Sequence, residues 1–163
     1  MPLALGIDPG SKFTGYGLVA KEGSRLHFIA AGRIATKASA PLSERLNQVF
    51  TGLRQVIRRY SPDMAVVEDI FFAKNVRSAV RLGHVRGVAL LAAAEAGLPV
   101  SEYSPATIKM AVVGYGQADK DQVGLMVKKI LGLDHDLTED AADALAAAIC
   151  HLNQTPALSR GRS

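Results

Sequence analysis

The chain has 163 residues, 48% of them hydrophobic, a formal charge of +4 and one cysteine, Cys150. That length buries a core without the help of disulfides, a lone cysteine excludes an internal disulfide and a cysteine-rich zinc cluster, and the basic balance admits a polyanionic partner. The longest strongly apolar run, Val88 to Ala94, falls short of the roughly 18 residues a membrane span needs, and no signal-peptide pattern opens the chain, so a cytoplasmic protein with no membrane partner is expected.

Leu3 to Ile7 reads as a buried strand, Thr14 to Ala20 as a second and Leu26 to Thr36 as a third, with Lys21 to Ser24 turning between the last two, an antiparallel meander. Between the first two, Asp8-Pro9-Gly10 has the residue order of a β-turn. From Pro41 to Tyr60, apolar residues at Leu42, Leu46, Val49, Phe50, Leu53, Val56 and Ile57 recur at helical spacing. Ser61-Pro62-Asp63 breaks that helix, and Met64 to Val67 is a short, wholly apolar strand. Reached through a helix, this strand is expected parallel to the first. A second long helix spans Asn75 to Gly97, a last strand Val100 to Tyr103, and helices follow at about Pro105 to Val113, Asp119 to Leu131 and Thr138 to Leu152. Residues 1 to 154 read as one α/β domain, and 155 to 163, with Ser159-Arg160-Gly161-Arg162, as a disordered basic tail.

Chemistry is suggested by where the carboxylates fall. Asp8 follows the first strand and Glu68 the fourth, so parallel neighbours would bring both to one edge of the sheet, where open α/β sheets place their sites. Asp140 and Asp143 are three apart and share a helix face. Asp140, in a first helical turn, is accounted for by the helix dipole alone. Asp143 is not: Ala, Leu and Ile surround it from Ala141 to Cys150, an unpaired buried carboxylate is costly, and a cation is expected beside it. Asp63 and Asp69 read as ordinary surface acids. Four gathered acids repel one another, and divalent metal relieves the repulsion. Oxygen donors with no nearby His or Cys favour Mg²⁺ or Mn²⁺ over zinc, and two such ions suit in-line displacement at a phosphodiester. Basic residues at Lys74 to Arg86 and at Lys109, Lys120, Lys128 and Lys129 point to nucleic acid as the substrate.

The segments "GIDPGSKFTGYGLV", "VVEDIFFAKNVRSAVRLGHVRGVALLAAAEAGLPV", "YSPATIKMAVVGYGQADKDQV" and "EDAADALAAAICH" recur in the order and separation of the RuvC-type Holliday-junction resolvases, which the chain resembles over nearly all of residues 1 to 155. The resemblance implies an RNase H-like fold, a five-stranded mixed sheet flanked by helices, in a homodimer. It implies paired, symmetric, Mg²⁺-dependent nicks in a four-way DNA junction, leaving 5′-phosphate and 3′-hydroxyl ends, and cooperation with a branch-migration motor. By position, Asp8, Glu68, Asp140 and Asp143 match the family's catalytic acids and metal ligands, for two Mg²⁺ ions per site that Mn²⁺ can replace. Lys109 and Lys120 match its basic positions near the scissile strand, and Phe71 its aromatic stacked on junction bases. Lys74, Asn75 and Arg77 would contact backbone phosphates. The helix bearing Val80, Gly83, His84 and Gly87, with Val88 and Leu91 continuing that face, would form the dimer interface. Gly15 and Gly17 are read as keeping side chains off one strand face so that a DNA backbone can approach it. Two other readings are an RNase H-like nuclease for other structured nucleic acid and a junction-binding protein without catalysis.

Overall fold

The computed structural model describes residues 1–69 and 75–155. Five strands, β1 (Leu3–Asp8), β2 (Phe13–Glu22), β3 (Arg25–Ala35), β4 (Met64–Glu68) and β5 (Val100–Tyr103), form one mixed sheet in the order β3-β2-β1-β4-β5. The first three are the expected antiparallel meander, and β4 and β5 join parallel to β1. The helices are α1 (Leu42–Tyr60), α2 (Val76–Glu95), α3 (Pro105–Val113), α4 (Lys120–Leu131) and α5 (Glu139–Gln154).

Local chemistry sets their ends. α1 stops at Ser61, whose φ of 48° closes a left-handed cap and whose N–H donates to Ile57 O, and Pro62 bars continuation. Asn75 caps α2, Ser104 caps α3 ahead of Pro105, Asp119 closes a capping box with Gln122 on α4, and Thr138 caps α5. Asn75, Asp119 and Thr138 stood at the start of the helices expected from sequence, and Ser104 one residue before its helix. Asp63, read as a surface acid, accepts from Leu3 N at 2.8 Å and ties the start of β1 to the entry of β4.

Two cores sandwich the sheet. Leu5, Ile7, Ala65 and Val67 pack with α1 and α2 on one face, while Ala4, Val19 and Val66 pack with α3, α4 and α5 on the other. Helix α5 lies across the middle of the second face, and ten of its residues are buried, as its nearly unbroken Ala/Leu/Ile composition requires.

Glycines seat that helix. A Cβ on Gly6 would stand 1.8 Å from Ala144 O, one on Gly15 2.1 Å from Asp140 O, and one on Gly17 2.6 Å from Leu145 Cγ. The bare face of β2 is therefore covered by α5, which corrects the expectation that Gly15 and Gly17 leave room for DNA. An alternating glycine pattern signals close approach without saying by what, and here a backbone of the same chain fills the space.

Candidate active site

β1 and β4 run side by side with Ala4 opposite Met64, Gly6 opposite Val66 and Ile7 opposite Val67, so Asp8 and Glu68 occupy the next rung at the two C-terminal ends. The pleat decides which way they face. Ala4 and Val66 belong to the α5 core and Ile7 and Val67 to the opposite one, so Asp8 and Glu68, two residues beyond Gly6 and Val66, turn toward α5. Gly15 pairs with Asp8 across the β1–β2 ladder, and the Asp140 Cβ lies only 2.9 Å from where a Gly15 Cβ would be. The first turn of α5 thus brings Asp140 and, one turn on, Asp143 down onto the edge that carries Asp8 and Glu68.

Asp8 and Asp143 feel burial and the charge of their neighbours. Burial, then Asp143, Glu68 and Asp140, push the Asp8 carboxyl from 3.8 up to about 8, against the opposing charge of Lys120. Burial, then Glu68, push Asp143 up to about 6, with Lys120 again opposing and Glu139 and Asp140 adding to the rise. Glu68 is raised by burial and held back by Lys109 and Lys120. Lys120 is therefore the cation expected near Asp143. The Lys120 ammonium is itself raised, chiefly by its hydrogen bond to Glu139.

A cleft of about 710 Å³ opens over this edge, lined among others by Asp8, Glu68, Asp69, Lys109 and Lys120. Asp140 and Asp143 act on it through their charge and do not line it. Among the described residues, no three His, Cys, Asp or Glu side chains are gathered tightly enough to hold a metal ion; uncompensated carboxylates at one edge repel, and a shared cation is what would draw them in.

Three partners escaped the sequence reading. Glu139 accepts from Lys120 and restrains the ammonium at the cleft mouth. Arg33 lies with its guanidinium 3.9 Å from the centroid of the Phe13 ring and 4.0 Å from Asp140 Oδ2. Arg86 pairs with both Asp69 and Glu102, so Asp69 is a paired group rather than an ordinary surface acid. Glu139 carried a legible signal, since it stands beside Asp140 in the same first turn. Arg33 and Arg86 carried none, being one arginine on an edge strand and one among several on a long helix.

Of the remaining expected positions, Phe71 and Lys74 lie outside the described residues, as does the tail beyond Thr155. Asn75 engages its side-chain oxygen as the α2 cap, accepting from Ser78 N at 2.8 Å, which leaves its amide nitrogen for any phosphate. Arg77 is exposed. Val80, Gly83, His84 and Gly87 are all exposed, and Leu91 is 59% exposed. A Cβ on Gly83 or Gly87 would meet nothing within 4 Å among the described residues. Val88 departs from that face: it packs on the α1–α2 core beside Val85 and Ala89.

A mixed sheet ordered β3-β2-β1-β4-β5, with acids ending its β1–β4 pair and opening the helix laid across it, is the frame of an RNase H-like nuclease. The family model for crossover junction endodeoxyribonuclease RuvC matches residues 4–151, and the chain belongs to that family. It is 50% identical over 149 residues to the crossover junction endodeoxyribonuclease RuvC of Citrifermentans bemidjiense, covering 91% of each chain. It is 51% identical over 158 residues to that of Chloroflexus aggregans, covering 96% of each. Thermus thermophilus RuvC in complex with Holliday junction substrate superposes with a TM-score of 0.88 at 36% identity over 93% of both chains.

Proposed function

We propose that this chain resolves four-way DNA junctions in recombination and DNA repair, hydrolysing one phosphodiester in each of two strands to leave 5′-phosphate and 3′-hydroxyl ends. The observation that carries this reading is the convergence of Asp8, Glu68, Asp140 and Asp143 on one sheet edge, with Lys109 and Lys120 facing the same edge. Family membership supports the substrate.

The donors fit a hard divalent cation: all four are carboxylates, and burial together with the neighbouring acids makes Asp8 resist ionising, which a bound cation would offset. Asp8, Glu68, Asp140 and Asp143 would hold two Mg²⁺ ions, or Mn²⁺ in their place. When bound, such a pair activates a water and stabilises the leaving oxygen of an in-line displacement. The lysines do different work. An edge bearing four acids repels a phosphodiester, and Lys109 on α3 and Lys120 on α4 supply the attraction that brings the scissile phosphate against it. Glu139 keeps Lys120 turned to the cleft. Arg77 and the Asn75 amide would hold backbone phosphates beside it, together with Lys74, while Phe71 would stack on an unpaired base.

Symmetric cleavage needs two such sites, and the exposed α2 face supports a homodimer. Gly83 and Gly87 each cost up to about 1 kcal/mol in an isolated helix, and no contact among the described residues requires them. Val80 and His84 flank them, and a second copy closing on this face explains all four. A branch-migration motor as a further partner, and a cytoplasmic location, rest on family likeness and on the absence, among the described residues, of a helix long and apolar enough to cross a membrane.

The test is a nicking assay on a mobile four-way junction and a matched linear duplex, with Mg²⁺ or with EDTA. Paired nicks in the junction alone, only with metal, are expected. Equal cutting of both substrates would replace this reading with a general nuclease, and binding without cutting under any metal would replace it with a junction-binding module.

A further inference from the structure

Asp69 follows Glu68 directly, yet the two acids face opposite ways. Val67 points to the α1–α2 core, and Asp69, two residues on, continues on that side, while Glu68 faces α5. On β5 the same parity applies: Glu102 is registered with Val67, and Tyr103 with Glu68. Asp69 and Glu102 therefore lie on the α2 side of the sheet at the end of neighbouring strands. Between them sits Arg86 of α2, its side chain only 16% exposed, with Nη2 hydrogen-bonded to Glu102 Oε1 and 3.4 Å from Asp69 Oδ1. The Asp69 N–H donates to Tyr103 O at 2.8 Å, extending the β4–β5 pairing one residue past Glu68.

Glu68 needs such a restraint. It is the last residue of β4, and ladder hydrogen bonds hold a strand end on fewer sides than its middle. A guanidinium whose Nη2 meets both the next residue and the neighbouring strand fixes that end from beneath, and its own burial limits the competition from water.

We propose that Arg86 is a positioning residue for Glu68: by clamping Asp69 to Glu102 it holds the end of β4 so that the Glu68 carboxylate stays aimed into the cleft. The role rests on the functional reading above, because it concerns the geometry of a residue placed there as a metal ligand. Arg86 reaches the cleft lining only through Asp69 and pairs with no acid that faces α5.

The experiment compares wild type with Arg86→Met, Arg86→Lys, Asp69→Asn and Glu102→Gln. It measures single-turnover cutting of a four-way junction across a Mg²⁺ titration, junction affinity in EDTA, and Mn²⁺ binding without DNA by paramagnetic resonance. Arg86→Met is expected to lower the single-turnover rate about 10- to 100-fold, the range that a displacement of about 1 Å at a reacting group produces. It should also raise the half-saturating Mg²⁺ concentration and weaken Mn²⁺ binding several-fold, with junction affinity within about twofold of wild type. Arg86→Lys should restore part, since one ammonium can stand between both carboxylates as Nη2 does but on a shorter, more strongly hydrated side chain. Asp69→Asn and Glu102→Gln, which remove one half-exposed carboxylate each and keep the fold testable if Arg86→Met unfolds, should move the same readouts in the same direction by less. Wild-type rate and metal requirement in Arg86→Met and Asp69→Asn would overturn the proposal, as would a rate that falls only in step with junction affinity. A wild-type protein that binds Mn²⁺ but cuts no junction would overturn the functional reading instead, and the Mn²⁺ titrations of the variants would still decide the clamp.

Discussion

Asp8→Asn is expected to make the metal-free protein more stable while removing its activity. The rise of the Asp8 carboxyl from 3.8 to about 8 spans about four pH units, which at ~1.4 kcal/mol each sets a ceiling of about 6 kcal/mol on the cost of ionising it in the fold. Water in the open cleft and relaxation of neighbouring charges reduce that by about half. The sign follows from proton counting. Between pH 4 and pH 8 the folded chain keeps a proton on Asp8 that the unfolded chain has lost, so this contribution to stability falls as pH rises through that window. Asparagine carries no such penalty. The variant should therefore exceed wild type by about 2 to 3 kcal/mol at pH 9, some 5 to 10 °C in melting temperature, and by less than about 1 kcal/mol at pH 5. Thermal melts in EDTA at both pH values measure the difference. Adding Mg²⁺ at pH 9 should narrow it, because binding to the folded state stabilises wild type by mass action. A variant that melts at or below wild type at pH 9 without metal would refute the picture of Asp8 as a buried, repelled carboxylate.

Asp143→Asn should abolish metal-dependent nicking while binding a four-way junction at least as tightly as wild type in EDTA, read by gel shift, because one negative charge leaves a site that must accept a phosphate. Gly15→Ala and Gly6→Ala should each destabilise the protein by about 3 kcal/mol or more in urea unfolding, since the added methyl meets a carbonyl oxygen of α5 that cannot move independently of the helix. Gly87→Arg on the exposed α2 face should leave the melting temperature of the isolated chain nearly unchanged but shift the light-scattering mass from dimer to monomer and cost paired cleavage. Raising salt should release linear duplex well before a four-way junction, measured as the slope of log affinity against log salt.

Much of this site was legible because it rests on short-range regularities. The end of an apolar strand at Asp8, the end of another at Glu68, and a three-residue interval between Asp140 and Asp143 each locate a carboxylate to within a residue, and a parallel β1–β4 pair does the rest. Asp143 was conspicuous because nothing apolar around it excused a charge. What was not legible depends on contacts far apart in sequence. Arg33 reaches Asp140 only because β3 flanks β2 and α5 crosses both, and Arg86 meets Glu102 only because α2 underlies β5. The glycines show the same limit from the other side: Gly15 and Gly17 announced a close approach, but only the placement of α5 says that the approaching surface is the protein's own.

That placement ties stability to chemistry. The contact that Gly15 permits is with the Asp140 backbone, and the same strand position pairs with Asp8. Anything that lifts the first turn of α5 from β2 also lifts Asp140 and Asp143 away from Asp8 and Glu68. The metal-free edge favours such lifting, because it relieves both the burial and the repulsion that raise Asp8 and Asp143. The methyl-free surface of β2 opposes it through packing along most of the length of α5, where Ala144, Leu145, Ala147 and Ala148 are fully buried. An almost wholly apolar helix is thus what keeps Asp140 and Asp143 over the edge that carries Asp8 and Glu68 despite their repulsion, and the alanines between Asp143 and Cys150 matter to the candidate site as much as the acids they carry.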